Sequence, residues 1–423
     1  MTNSTPGGGY PYPIRPVSPE EFDNYRSASM HAFHDSPLSE ERRDLVMSQL
    51  EFDRTLAAFD GQAVVGSTAA FTFQLSVPGH RSLPAAGVTW VSVLPSHRRR
   101  GVLSSMMARQ LADVRDRGEP LAVLWASESV IYPRYGYGLA MWHAEFTLHR
   151  GDGALAKAAA GEAGLRVRIT EPEAALPELA KVYDTVLAAR PGFIARNEAW
   201  WRRVIYDPAD WRHGASALHC VIAEDDGGPR GYALYSGQNK WDEESDLPAG
   251  VLRVREMVAA DPEASAALWS DLLGRDLTGE FHVPDRPVDD PLLYQLADPR
   301  RARTRLHDAL WVRITDVPVA LTGRRYSCPV DVVIEVRDGL IPSNAGRWHL
   351  AAPDVAATAS CVPTTAAADL SLDVVELGAA YLGGTRVGAL AGAGRVTELR
   401  PGAVRELSAA MSWDPAPWCP VHF

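Results

Sequence analysis

The chain has 423 residues, 46% of them hydrophobic and 22% charged, with a formal net charge of −11. That length sets a prior of roughly three domains in an ordinary globular protein. The acidic balance argues against nucleic acid as a partner, which usually draws on a basic face, and is compatible with a cationic substrate such as a polyamine. The four cysteines, Cys220, Cys328, Cys361 and Cys419, lie far apart without a CxxC pair, so neither a zinc motif, a redox motif nor a disulfide framework is expected. No signal peptide and no run of ~18 apolar residues is evident, so a cytoplasmic chain with no membrane partner is expected.

The opening MTNSTPGGGYPYP reads as a flexible arm. PEEFDNYRSASMHAFH and SEERRDLVMSQL read as helices. RTLAAFDGQAVVGSTAAFTFQLSVPG reads as two strands around an Asp60-Gly61 hairpin turn, and GVTWVSVLP as a third strand. GVLSSMMARQLADVRDRG has the spacing of a helix, with Leu103, Met106, Met107 and Leu111 on one face and Gly118 as its stop. LAVLWAS follows as a buried strand, YPRYGYGLA as a turn, and WHAEFTLHR as the strand closing a first α/β unit of mixed sheet near residue 150.

After an Ala/Gly-rich link, GDGALAKAAAGEAG, the same plan returns in residues 151–299. HCVIAEDDGGPRGYALYSG parallels the first hairpin. GVLRVREMVAADPEASAALWSDLLGRDLTG parallels the strand, proline, helix and glycine of the first unit. The second copy lacks the arginines and glycine at its turn and reads DPEAS, where Asp261 and Glu263 would repel phosphate. Residues 300–423 change to a Val/Ala/Gly-rich composition. LWVRI, VDVVIEVRDG, RWHLAA and ADLSLDV read as strands and VVELGAAYLGG and PGAVRELSAAMSW as helices, an α+β domain with a curved antiparallel sheet.

Chemistry concentrates at WVSVLPSHRRRGVL. A strand that hands over to a helix leaves free N–H groups at the positive end of the helix dipole, which makes an anion site. Gly101 permits close approach, and Arg98, Arg99 and Arg100 bring fork-shaped donors suited to a pyrophosphate. Neither a P-loop nor GxGxxG is present, and no HExxH or GxSxG supports a metal-dependent or serine hydrolase. No metal is expected.

This strand, proline and R-x-x-G turn resembles the pyrophosphate motif of the GNAT acyltransferases, Q/R-x-x-G-x-G/A. Arg98 and Gly101 match, and Leu103 stands where Gly or Ala is usual. With WASESVIYPRYGYG and an aromatic last residue, the whole chain resembles the Eis family of aminoglycoside acetyltransferases. The resemblance implies tandem GNAT folds of mixed sheet flanked by helices. Residues 1–150 would be catalytic and 151–299 degenerate, and 300–423 would form a sterol-carrier-like domain whose end reaches the active site. It implies acetyl-CoA as cosubstrate, with Val91, Ser92 and Val93 along the pantetheine. The pyrophosphate would lie on Arg99, Arg100, Gly101, Val102, Leu103 and Ser104, and Ser127 and Glu128 would line the cofactor. Tyr132 would be the general acid and the C-terminal carboxylate of Phe423 the base. A backbone N–H near Val93 would receive the oxyanion. Asp35, in AFHDSP, is a candidate wall residue for a cationic substrate.

The expected activity is acetyl transfer from acetyl-CoA to amines of aminoglycoside-like polyamines, by direct attack in a ternary complex. Two rivals use other acceptors or none: a lysine or peptide N-acetyltransferase, and a lipid-binding scaffold with vestigial GNAT folds. The resemblance further implies a homo-hexamer, a trimer of dimers.

Overall fold

The computed structural model describes residues 12–155, 164–355 and 357–423. Most of the N-terminal arm and most of the Ala/Gly-rich link fall outside the described residues. The first unit runs β1 (Ile14–Arg15), α1 (Phe22–Phe33), α2 (Glu40–Gln49), β2 (Thr55–Asp60), β3 (Ala63–Val77), β4 (Arg81–Val93), α3 (Val102–Asp116), β5 (Leu121–Trp125), β6 (Gly138–Leu139) and β7 (Trp142–His149). The second runs β8 (Arg166–Thr170), α4 (Pro172–Leu187), α5 (Glu198–Ile205), β9 (His219–Asp225), β10 (Gly228–Gln238), β11 (Gly250–Ala259), α6 (Pro262–Leu273) and β12 (Thr278–Pro287). After α7 (Leu292–Gln295), β13 (Arg305–Asp308) and β14 (Leu310–Ile314) come α8 (Val317–Gly323), β15 (Val330–Arg337), β16 (Gly346–Ala352), β17 (Ser360–Pro363), β18 (Leu370–Asp373), α9 (Val374–Ala380), α10 (Val387–Gly392), β19 (Val396–Glu398) and α11 (Ala403–Met411).

These strands build three sheets, ordered β1-β2-β3-β4-β5-β14-β6, β8-β9-β10-β11-β12-β7-β13 and β17-β16-β15-β18-β19. The first two repeat one plan: an antiparallel run, then one parallel pair, β4–β5 or β11–β12. Their sixth strands are exchanged. WHAEFTLHR was expected to close the first sheet, but as β7 it pairs with β12 in the second. LWVRI was expected in the C-terminal domain, but as β14 it pairs with β5 in the first. The two crossings bond to each other, Ala140 N to Leu310 O and Ala309 N to Met141 O, each at 3.1 Å. Hydrophobic alternation identifies a strand and not its sheet, so the sequence pattern carries no sign of the exchange.

Apolar spacing explains α3: Met106, Met107 and Leu111 are buried beneath it. It covers one face of the first sheet, packing Met107, Leu111 and Val114 on Ala86, Val88, Ala122 and Leu124. The other face carries α1 and a large core shared with the second unit and the C-terminal domain, in which Phe71, Phe73, Leu121 and Val123 meet Trp200, Trp418 and Val421. The C-terminal domain is pressed against the first sheet so closely that a Cβ at Gly138 would lie 1.9 Å from Val375 O. No helix among the described residues is long and apolar enough to cross a membrane.

Candidate active site

The parallel pair β4–β5 is hydrogen-bonded only from Ala85 to Gly87 and Leu121 to Val123. Beyond that point the sheet opens. The opening coincides with a bulge in β4, where the register with β3 shifts between Ser67 and Ala69 and Trp90 takes a left-handed φ of 56°. Ser67 fixes the bulge by donating its hydroxyl to Trp90 O at 2.8 Å. Such bulges re-aim the backbone at functional sites. Val91, Ser92 and Val93 therefore present one backbone edge with no partner strand on the β5 side. The Ser92 side chain is turned the other way, 2.6 Å from Ser67 Oγ.

The arginine turn sits at the end of this edge. Arg99 is left-handed at φ 62° and Gly101, the N-cap of α3, at φ 83°. Nothing lies within 4 Å of where a Gly101 Cβ would be, so the glycine is required by its backbone angle and faces open space. No side chain caps α3. The first helical bond runs from Ser105 N to Gly101 O at 3.0 Å, so the N–H groups of Val102, Leu103 and Ser104 have no partner within the helix. Val102 is buried in the core and Leu103 half-buried, so both offer their backbone. Ser104 Oγ is exposed, 3.2 Å from Tyr135 OH. Arg98, Arg99 and Arg100 are exposed, and Arg100 donates to Tyr12 OH at 3.2 Å. Arg98 and Arg99 make no ion pair among the described residues. These groups fit a pyrophosphate: unsatisfied N–H groups, a helix dipole and unneutralised guanidiniums around one empty corner.

Ser127 and Glu128 follow β5 and are exposed. Tyr132 lies on the α3 side of the opening, 5% exposed and packed with Tyr135 and Tyr137. Burial first, then Tyr135 and Glu128, push its pKa up to about 12. Its hydroxyl bonds to no described residue.

On the opposite face lies a cavity of about 1010 Å³, lined by Asp35, Thr89, Trp90, Trp200, His422 and Phe423 among others. Tyr132 does not line it. Tyr132 and Phe423 thus belong to the packing on opposite faces of the first sheet. The Phe423 ring packs edge-on against Phe73 at 5.0 Å. The tail before it is held at several points: Arg190 Nε donates to Ala416 O at 2.9 Å, Trp418 Nε1 to Asp285 O at 2.7 Å and Trp125 Nε1 to Val421 O at 3.0 Å. His422 stacks on Trp125 at 4.0 Å.

Sequence reasoning missed the group around Asp285. This residue sits in a bulge of β12 at φ 58°, and His143, His307 and His422 converge on its carboxylate at 3.3, 3.2 and 3.2 Å. Burial works to raise the Asp285 pKa, but the histidine contacts outweigh it and hold the carboxyl far below the usual range. His143, Asp285 and His307 are also the one group among the described residues whose ligand atoms cluster within 4.8 Å. Three strands distant in sequence bring them together, so no spacing motif betrays them.

Acetyltransferase (GNAT) domain families match residues 13–140 and, separately, 192–314, and a sterol carrier protein domain family matches residues 317–420. An uncharacterized N-acetyltransferase of Streptomyces avermitilis is 42% identical over 410 residues, covering 97% of this chain and 99% of the relative. The N-acetyltransferase Eis of Mycobacterium tuberculosis is 36% identical over 364 residues, 84% of each chain. The crystal structure of Eis1 from Mycobacterium abscessus superposes with a TM-score of 0.83 at 34% identity, covering 97% of this chain and all of that one.

Proposed function

Because this chain belongs to the Eis family of GNAT N-acetyltransferases, we propose that it passes the acetyl group of acetyl-CoA directly to a primary amine bound in the Trp90–Phe423 cavity, within one ternary complex. Carrying this reading is the uncapped N-terminus of α3 beside the β4–β5 opening, with Tyr132 packed on the α3 face of the sheet and the cavity lined by Phe423 on the other. Acetyl-CoA supplies an activated thioester. The turn from Arg99 to Ser104 holds its pyrophosphate, and Val91 to Val93 align its arm along the unpaired strand edge, with Ser127 and Glu128 at the mouth.

The amine must reach the thioester carbon as a free base. A Phe423 carboxylate, directly or through water, takes the ammonium proton. A C–N bond forms as the C–S bond breaks. A backbone N–H near the β4 bulge stabilises the charge growing on the carbonyl oxygen. Tyr132 gives its proton to the departing sulfur, its raised pKa keeping that proton in place at neutral pH until then, and the second proton shed by the acylated nitrogen restores the tyrosine, directly or through water. For the acceptor, the Eis kinship suggests an aminoglycoside-like polyamine, with Asp35 as its carboxylate contact. A hexameric, cytoplasmic enzyme belongs to the same reading.

Thiol release with acetyl-CoA and a panel of amines tests it. Deleting Phe423 should remove most turnover and leave CoA binding intact. Full turnover in the deletion variant would exclude the terminal base. Acetylation of a lysine peptide in preference to every small amine would favour the protein-substrate reading.

A further inference from the structure

The cavity does not share the charge of the chain. Against a net charge of −11, its wall carries six arginines and four carboxylates. Three of those carboxylates are already engaged. Asp207 takes Arg212 and Arg255, each at 2.8 Å. Glu256 takes Arg196 at 2.9 and 2.5 Å and Tyr232 OH at 2.6 Å. Asp285 holds its three histidines. Asp35 alone forms no ion pair among the described residues, although its charge acts on Arg26, and a Phe423 carboxylate would add one more negative charge.

The arginines show the reverse pattern. Arg26, Arg42, Arg203 and Arg253 form no ion pair among the described residues, although the charges of Asp35 and Asp23 act on Arg26. Arg26, on α1, donates to Ser36 O at 3.0 Å. Arg42, from α2, lies over the Trp211 ring at 4.2 Å, and Arg203, from α5, over Trp200 at 5.8 Å. The surrounding protein pushes the Arg203 pKa down, and the nearby charge of Arg42 lowers it further. Arg26 is pushed down in the same way, by burial first, with Arg42 adding to it against Asp35. Neighbouring guanidiniums with no counter-charge repel one another, and a bound oxyanion relieves the repulsion while filling their donors.

We propose that the acceptor is an amine that also carries an oxyanion, phosphate or carboxylate, gripped by Arg42 and Arg203 with Arg26 and Arg253 around it. This rests on the cavity being the acceptor site, and it replaces the polyamine that the Eis kinship suggests with an amine that also bears an anion. A polycation would meet four guanidiniums and one carboxylate that form no ion pair among the described residues, whereas an amine joined to an oxyanion has a partner for each end. Trp90, Trp200 and Trp211 add apolar surface to the wall between them.

Calorimetric titration of the CoA-saturated protein tests the proposal, because the anion site at α3 is then filled. The probes are O-phosphoethanolamine, β-alanine, ethanolamine and spermidine. At least one oxyanion probe should bind about tenfold more tightly than ethanolamine, as expected for a charge-assisted contact. Which one leads assigns phosphate or carboxylate. The double variant Arg42→Ala/Arg203→Ala should lose the preference, and Arg42→Lys/Arg203→Lys should keep part of it, with CoA affinity and melting temperature reporting that each is folded. Tighter binding of spermidine, no binding of either oxyanion probe, or an unchanged preference in the alanine variant overturns the proposal. Thiol release with the same amines is read separately. Oxyanion binding without transfer keeps this subsite and refutes the acceptor reading; transfer to spermidine and not to the oxyanion amines does the opposite.

Discussion

Two helix N-termini in this molecule occupy equivalent places in their sheets and have opposite chemistry. At α3 the cap is Gly101, no side chain closes the helix, and the adjacent Arg98 and Arg99 are unpaired. At α6 the cap is Asp261, whose carboxylate accepts from Ala264 N at 2.9 Å. There Arg230 is drawn in by Asp261 and Glu263, each at 2.8 Å, and by Asp225 at 3.1 Å. One site offers positive potential to an outside ligand. The other has filled itself with its own anions and then neutralised them. The GNAT fold thus occurs twice, and on the function proposed above only the first turn grips an anion, because a few residues at a turn decide the chemistry while the strands around them decide the architecture.

The sharpest way to break this comparison is to make the first turn resemble the second. Gly101→Asp places a carboxylate at the turn proposed to hold the pyrophosphate and should lower CoA affinity by about 100-fold or more, read by calorimetry. Its stability should fall by only about 1–2 kcal/mol, the penalty for a left-handed non-glycine residue. Undiminished CoA binding would show that the turn is not the grip.

Next in size is Tyr132→Phe. Loss of a general acid should reduce kcat by about 10²–10⁴-fold while CoA affinity holds. The pH dependence has a definite sign. Burial raises the tyrosine pKa to about 12 in the folded chain, against about 10 unfolded, so the folded state holds this proton more tightly. Its contribution to stability is complete below about pH 10 and fades as the pH rises towards 12. Below about pH 10, therefore, kcat should show no alkaline limb from this group; a limb centred near 8 that vanishes in Tyr132→Phe would contradict the assignment.

Smaller effects sharpen the contrast. Arg99→Ala should weaken CoA on the order of tenfold, and less as salt is added, since its guanidinium is exposed. Asp261→Ala removes a helix cap and should lower stability by about 1 kcal/mol, with CoA affinity unchanged.

Much of this was legible in the sequence because it is local. The Asp60-Gly61 hairpin, the α3 stripe of Met106, Met107 and Leu111, the turn at Gly101 and the second copy with DPEAS all depend on neighbours within a few residues. The exchange of β7 and β14 was not legible, since a buried strand looks the same in either sheet. Nor were the Asp285 histidines or the Arg42–Arg203 pair, which join residues from separate elements and differ in no local way from solvated surface charges. Net charge averages over the whole surface, so it carries no sign of the arginines gathered in the wall of one cavity.

The measurement that tests the central claim most directly is CoA stoichiometry by calorimetry on the wild type, Gly101→Asp and Asp261→Ala. One coenzyme per chain, lost in the first variant and retained in the second, is the predicted result. Binding that survives Gly101→Asp, or that disappears with Asp261→Ala while the chain stays folded, would place the coenzyme in the central domain and contradict the account.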